Sequence, residues 1–593
     1  TPIKSSAASD VYKRQEGMEK MTSRKISRRS FLRASVLTAA AVSLPLNVSA
    51  ASPKENCLAT LRCPITEVRQ TSSGPVQGLD QGDYLVWYGI PYGAAPVGDL
   101  RWSAPEDPTP WTETRDCAAV SEVAYQYSNG PIGTEDCLKL DVYTTPNAYK
   151  LPVLIFIHGG NNQTGNTQEI PGGELVVKDE CVYVALDYRL GVFGFNCLPA
   201  LQSDENSTGN YTLLDISKAL DWVQQNIAQF GGDPDNITIS GFSAGGRDVM
   251  AMLVSPLFAG RFQKAIAFSG GMTIADEAAS ASQIAWAIAP LAVEDGICAN
   301  ENIAHDWLLT SGSDVRDWLY SIDSARLCPL MSNAGIRMSV FPHLYGDDVV
   351  LPKEGFATTQ YNSVPLLMLT GSTEFSMFNM GDPYYTSSAV ADWDPSIVQA
   401  ANDFATRYGS DMYRIFNAEC SAETMYAHYD APIYLCQVDY GGENSPSKLP
   451  LGAFHGIFVP MLSSINNYSS MMDFSGAGYQ AMAVQFNLYL KNFLHTGNPN
   501  NDGVSILGSL WRSLSGQTSP ELLEWPLWTP ENKVSMVLDA DAQQALLEVK
   551  DVSTTYDAIM DCMEADTSIP DYAKMGVIPV SYTHLRAHET LSD

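Results

Sequence analysis

Basic residues are scarce in this 593-residue chain: 35 Lys and Arg face 67 Asp and Glu, a formal net charge of −32. Nothing resembles the basic stripe that neutralises phosphates, which excludes nucleic acid as a partner. Charge of either sign is thin, at 17% of residues against an ordinary share of about 25%. With 45% hydrophobic residues, the chain is excluded from the intrinsically disordered class. Long apolar runs are missing too. The stretch from Ala34 to Leu46 falls short of the ~20 residues a spanning helix needs, and no other stretch qualifies, so no stable membrane anchor is expected. No CxxC pair or His-Cys cluster signals a metal site, and neither metal nor cofactor is expected. No internal repeat, low-complexity tract or long linker separates independent domains.

The shortage of basic residues is uneven. The first fifty residues hold nine Lys and Arg and three Asp and Glu, which leaves 26 against 64 in the remainder, a net of −38. Ser27-Arg28-Arg29-Ser30-Phe31-Leu32-Arg33 precedes the apolar stretch, and Val48-Ser49-Ala50 offers small residues for cleavage. Residues 18–50 thus resemble a bacterial twin-arginine export signal, with a mature start near Ala51. This predicts an exported protein, periplasmic or secreted. Residues 1–17 and 580–593 resemble translated sequencing-adapter read-through and carry no functional argument, which leaves a single domain over 51–579. All eleven cysteines lie beyond residue 50. Cys117 and Cys137 flank one loop and are the candidate disulfide pair.

From Pro75 to Trp111 the Gly- and Pro-rich text reads as antiparallel edge strands and loops. Leu138 to Tyr143, Val153 to Ile157 and Cys181 to Leu186 read as strands. The second, VLIFI, is apolar without alternation, as expected of a strand covered on both faces. Asp215 to Phe230 has the spacing of an amphipathic helix, through Ile216, Leu220, Val223, Ile227 and Phe230. Further strands are expected at Ala265 to Phe268 and Pro365 to Thr370, and helices at Ile397 to Asn417 and Tyr479 to Phe493. Between them, residues 272–356 weaken into helical segments and read as an insertion over the sheet. The alternation of strand and helix specifies an α/β chain with a mostly parallel sheet flanked by helices and right-handed crossovers.

Gly241-Phe242-Ser243-Ala244-Gly245 lies where the β-like run NITIS gives way to the helical text AGGRDVMAMLV. This is the G-x-S-x-G pattern of a nucleophile elbow, a sharp strand-to-helix turn that presents its serine at the top of a sheet. A serine hydroxyl needs a neighbouring base to act as nucleophile. Of eight histidines, His455 sits on a late loop, where a base falls if the order is serine, acid, histidine. The base in turn needs a carboxylate that fixes its tautomer. Glu374 directly follows the strand Pro365 to Thr370, at the sheet edge where α/β active sites collect. Asp347 and Asp348, in the turn LYGDDVVLP, are its rivals, although turn aspartates usually bond their own backbone.

Charge developing on a carbonyl oxygen also needs amide donors. His158-Gly159-Gly160-Asn161 follows VLIFI and matches the HGG-type loop, so Gly160 and Asn161 are expected to donate from the loop and Ala244 from the elbow helix. His158 itself reads as structural.

Several blocks then fall in a familiar order: GIPYGAAPVGDLRW, EDCLKLDVYT, VLIFIHGG, DYRLGVFGF, WVQQNIAQFGGDP with GFSAGG, and HTGNPN with WPLW. From about Gly74 to Trp528 the chain resembles the type B carboxylesterase and lipase family. The resemblance implies an α/β-hydrolase fold with helical insertions over the active site. It also implies the triad Ser243, Glu374 and His455; with the leader at 18–50, the expectation is an exported serine carboxylesterase acting on a small-molecule ester through an acyl-enzyme. A catalytically silent binding protein on the same fold is the alternative, as is a hydrolase of amide, carbamate or lactone bonds. Some positions depart from the family: Phe242 stands where Glu is usual, Asn161 where a third glycine is usual, Phe375 for a glycine, and Arg247 and Asp248 where small residues are common. The cysteine usually paired with Cys137 aligns nearer Ala124 than Cys117. The loop from Ala118 to Asp136 has no Trp to hold a quaternary ammonium, which disfavours choline esters.

Overall fold

The apolar run around VLIFI becomes the strand Leu151–Ile157, near the middle of an eleven-stranded sheet. In the computed structural model, which describes residues 65–202, 208–331, 342–380, 382–442, 444–446, 451–503 and 522–586, alternate side chains of this strand enter different cores. Leu154 and Phe156 pack with Tyr183, Ile266 and Leu367 on one face. Ile155 and Ile157 pack with Val184, Ile239 and Leu366 on the other. Two apolar faces explain why hydrophobicity does not alternate along the strand.

From one edge, the sheet runs Ala545–Lys550, Ser535–Ala540, Ile433–Val438, Leu366–Gly371, Lys264–Phe268, Gly232–Phe242, Leu151–Ile157, Val182–Leu186, Lys139–Thr144, Leu85–Pro91 and Leu79–Asp80. Every pairing from Ser535–Ala540 to Val182–Leu186 is parallel. The outer pairings at both ends are antiparallel. This is the expected α/β architecture with antiparallel N-terminal strands. The strands Ile433–Val438, Ser535–Ala540 and Ala545–Lys550 extend it beyond the sequence reading.

Helices Tyr211–Asn226, Pro395–Asn417 and Ala477–Thr496 occur where periodicity places them. The first is tied to the sheet by a buried two-point ion pair, Arg189 Nε to Asp215 Oδ2 at 2.8 Å and Arg189 Nη2 to Asp215 Oδ1 at 2.6 Å. Between Lys264–Phe268 and Leu366–Gly371 rise the helices Glu277–Glu294, Glu301–Leu308, Ser313–Ser321 and Ser324–Leu327. Asp276 and Asn300 cap the first two by accepting the amides of Ala279 and Ile303, as such residues do at helix starts.

The expected export signal at 18–50, the mature start near Ala51 and the stretch 1–17 lie outside the described residues. At the other end the helix Asp571–Arg586 crosses residue 580, and 587–593 lie outside the description.

The candidate disulfide is not formed: Cys117 and Cys137 are free, buried thiols. Main-chain bonds hold Cys117 in the edge layer, its amide donating to the Gln77 carbonyl and its carbonyl accepting from Tyr88, each at 2.8 Å. Cys137 instead lies among Tyr125, Arg189, Leu190 and Phe193. Burial pushes the Cys117 thiol up to about 12 and raises that of Cys137 as well.

Candidate active site

The strand Gly232–Phe242 stops one residue before Ser243, and the helix Ala244–Val254 starts one residue after it. At Ser243 the backbone sits at φ 56°, ψ −116°, a conformation that L-residues hold only when their surroundings impose it. Its amide donates to the Phe268 carbonyl on the neighbouring strand at 2.8 Å, and its carbonyl accepts from Arg247 at 3.0 Å. The motif glycines permit the turn. A Cβ on Gly241 would overlap the Gly245 carbonyl, and one on Gly245 would overlap the Ile157 carbonyl. The helix therefore folds back onto its own strand and touches the next one.

Glu374 and His455 meet directly. Nδ1 of His455 forms a short hydrogen bond with Glu374 Oε2. The other carboxylate oxygen, Oε1, accepts from Ser269 Oγ at 2.6 Å, Thr370 Oγ1 at 3.1 Å and the Gly371 amide at 2.6 Å. Glu374 is wholly buried and His455 is 5% exposed. With Nδ1 occupied, the chemistry of the imidazole rests on Nε2, which is buried and without a hydrogen-bond partner among the described residues. The ring is wedged between Phe242, at 4.7 Å between centroids, and Phe378, also at 4.7 Å. Phe242 is the residue before Ser243, so the elbow and the imidazole are packed together through it.

The rivals are occupied elsewhere. Asp347 Oδ1 accepts the amides of Val349, Val350 and Leu351, and Asp348 Oδ1 accepts that of Lys353. Both serve their own turn, and Asp347 Oδ2 also accepts from Asn210 Nδ2 at 2.8 Å. His158 stacks on Tyr188 at 4.3 Å, and burial pushes it down to about 4, so it stays neutral and structural.

The HGG loop lies against the elbow: a Cβ on Gly159 would come 3.1 Å from Ser243 Cβ. Gly160, Asn161 and Asn162 are all left-handed, at φ 95°, 57° and 55°. Asparagine tolerates that region better than other residues with a Cβ, so the loop keeps its shape without a third glycine. Among the described residues, the amides of Gly160, Asn161 and Ala244 donate to no protein acceptor. Ala244 also opens the elbow helix, whose dipole favours negative charge there.

Two carboxylates brace this loop, and the sequence reading gave neither of them that part. Glu169 Oε2 accepts the Gly159 amide at 2.7 Å, and burial pushes its carboxyl up to about 7 against that bond. Asp248 Oδ1 accepts from Asn162 Nδ2 at 2.9 Å, and burial likewise raises it to about 7. Arg247 and Asp248 do not pair with each other: Arg247 Nη2 donates to Tyr413 Oη at 3.1 Å. Ser269 and Thr370, around Glu374, were missed too. Their signal was position, as polar residues at the carboxyl ends of two adjacent strands.

A cavity of about 620 Å³ opens at both roots of the helical insertion, lined by Met272, Ile274, Glu277, Phe356, Phe416 and Tyr556 among others. Ser243, Glu374 and His455 are not among its walls.

A sequence model of the carboxylesterase family matches residues 65–394, more than half of the chain. The chain belongs to the carboxylesterase family. Its reaction class is carboxylic ester hydrolysis. The para-nitrobenzyl esterase of Bacillus subtilis (strain 168) is 29% identical over 511 residues, which cover 80% of this chain and 95% of that protein. The acylcarnitine hydrolase of Rattus norvegicus is 39% identical over 236 residues, 36% of this chain and 41% of that one. Among solved structures, a thermophilic PNB esterase superposes with a TM-score of 0.62 at 26% identity, covering 83% of this chain and 99% of its own. A Geobacillus stearothermophilus carboxylesterase at pH 6.2 gives 0.60 at 25% identity, covering 82% and 98%. The fold of this carboxylesterase is therefore the α/β-hydrolase fold.

Proposed function

We propose that Ser243, His455 and Glu374 form a nucleophile, base and acid that hydrolyse carboxylic esters through an acyl-enzyme. The observation that carries this reading is the His455 imidazole, held at Nδ1 by Glu374 and left open at Nε2, beside the elbow. Ser243 Oγ attacks the ester carbonyl while Nε2 takes its proton. The resulting imidazolium is stabilised through Nδ1–H by Glu374, and the oxyanion is received by the amides of Gly160, Asn161 and Ala244. Collapse expels the alcohol, which takes the proton back from Nε2. Water, deprotonated by the same nitrogen, then releases the acid and restores Ser243.

Ser243→Ala tests the reading. Hydrolysis of p-nitrophenyl acetate is expected to fall to background while the thermal melt stays unchanged, and a fluorophosphonate probe is expected to modify Ser243 in the parent only. A Ser243→Ala protein with parental turnover refutes the triad. A folded parent that neither reacts with the probe nor turns over esters speaks for a silent binding protein instead.

A further inference from the structure

Asp248 lies on the elbow helix one turn beyond the nucleophile, and it is wholly buried. Its Oδ1 accepts from Asn162 Nδ2 at 2.9 Å, and Oδ2 has no partner among the described residues. The charged and titratable groups around it are Arg247 on its own helix and Tyr188 from the segment after Val182–Leu186. Arg247 turns away to Tyr413. Among the described residues, the side-chain hydrogen bond of Asp248 goes to Asn162.

Asn162 is the junction of the oxyanion loop. It follows two left-handed residues and is itself left-handed at φ 55°. Its carbonyl accepts the Gly191 amide at 2.6 Å. Tyr188, whose hydroxyl donates to the His158 carbonyl at 2.6 Å, lies within 3.4 Å of Asn162 Oδ1. Three consecutive left-handed residues are held only where the surroundings over-determine them. The Gly191 and Tyr188 contacts tie the loop to the sheet. The hydrogen bond with Asp248 ties it to the helix that carries Ser243 and the third amide, Ala244.

Resting on the triad reading above, we propose that Asp248 is a positioning residue. By gripping Asn162, it couples the Gly160 and Asn161 amides to the elbow helix, so that the oxyanion donors and the nucleophile keep one geometry. A carboxylate suits this task because its lone pairs accept a buried amide N–H that a small residue at 248 would leave unpaired. Substrate in the ground state presents a carbonyl and gains little from the exact aim of these amides; the tetrahedral oxyanion depends on it.

The test separates positioning from folding. Asp248→Ala is expected to lower kcat on p-nitrophenyl acetate by about 10²-fold, the scale of a displacement near 1 Å at a reacting centre, with KM within a few-fold. Affinity for a trifluoromethyl ketone, which adds to Ser243 as a tetrahedral oxyanion, is expected to fall in parallel. Asp248→Asn keeps an acceptor for Asn162 Nδ2 and is expected to restore most of both. If Asp248→Ala does not fold, Asn162→Gly deletes the other half of the bond while tolerating φ 55°, and the same paired loss is expected. Parental kcat and ketone affinity in whichever variant folds overturn the proposal, as does a loss confined to KM. Those results leave an inactive Ser243→Ala standing, whereas an active Ser243→Ala removes the triad reading itself.

Discussion

Glu374→Gln replaces one oxygen with nitrogen, and the surroundings dictate where that nitrogen goes. Oε1 of Glu374 faces three donors: Ser269 Oγ, Thr370 Oγ1 and the Gly371 amide. The hydroxyls can rotate, but the Gly371 N–H cannot, so the glutamine carbonyl must occupy the Oε1 position. Its NH₂ group then faces His455 Nδ1, where a carboxylate oxygen now lies. Nδ1 is forced to accept, and the imidazole proton moves to Nε2, the nitrogen that receives the proton of Ser243 in the proposed mechanism. A wrong tautomer of this kind lowers kcat by about 10⁴ in serine hydrolases, which is about 5.4 kcal/mol of transition-state stabilisation. The native bonds on Oε1 survive, so the melting temperature is expected to move by only a few degrees. Steady-state hydrolysis of p-nitrophenyl acetate, with kcat and KM determined separately and a circular-dichroism melt alongside, measures each part. A Glu374→Gln protein whose kcat lies within tenfold of the parent refutes the tautomer argument.

Asp179 is wholly buried with neither carboxylate oxygen hydrogen-bonded among the described residues, and burial holds its pKa well above the usual carboxylate range. The folded state thus binds the proton more tightly, and stability falls as pH rises from the unfolded value of about 3.9 through the folded one; Asp179→Asn is expected to raise the melting temperature more at pH 8 than at pH 5, and equal shifts would contradict this. Cys117 and Cys137 are expected to be alkylated by iodoacetamide in guanidine without prior reduction, and a cross-linked peptide in the mass spectrum would reinstate the disulfide.

The central strands were readable because burial on both faces leaves a plain signature: VLIFI predicts Leu151–Ile157, and Ala265 to Phe268 predicts Lys264–Phe268. The helices at 211–226 and 395–417 were readable through their apolar stripes. Ile433–Val438 is less legible, because Gln437 interrupts the apolar run IYLCQV. Strand-end position points to Glu374, whose bond to His455 joins residues 81 positions apart. Its support by Ser269 and Thr370 belongs to residues about 105 and 4 positions away, which spacing cannot connect. The departures at 247 and 248 were visible as oddities of composition. Only the structure sends Arg247 to Tyr413 and Asp248 to Asn162, since neighbours on a helix point about 100° apart and meet different partners. The cysteine pair failed for the complementary reason. Flanking one loop in sequence says nothing about which way two side chains face.

Six cysteines of the described residues, Cys117, Cys137, Cys181, Cys197, Cys328 and Cys436, are buried free thiols. At these six positions the native state gains nothing from an oxidant, because any cross-link formed there on the way to it is a wrong one. Chain collapse must therefore outrun thiol oxidation, after which the interior shields the sulfurs. Production in a reducing cytoplasm suits this order of events, and refolding from denaturant calls for a thiol reductant until the two cores on either side of the sheet have closed.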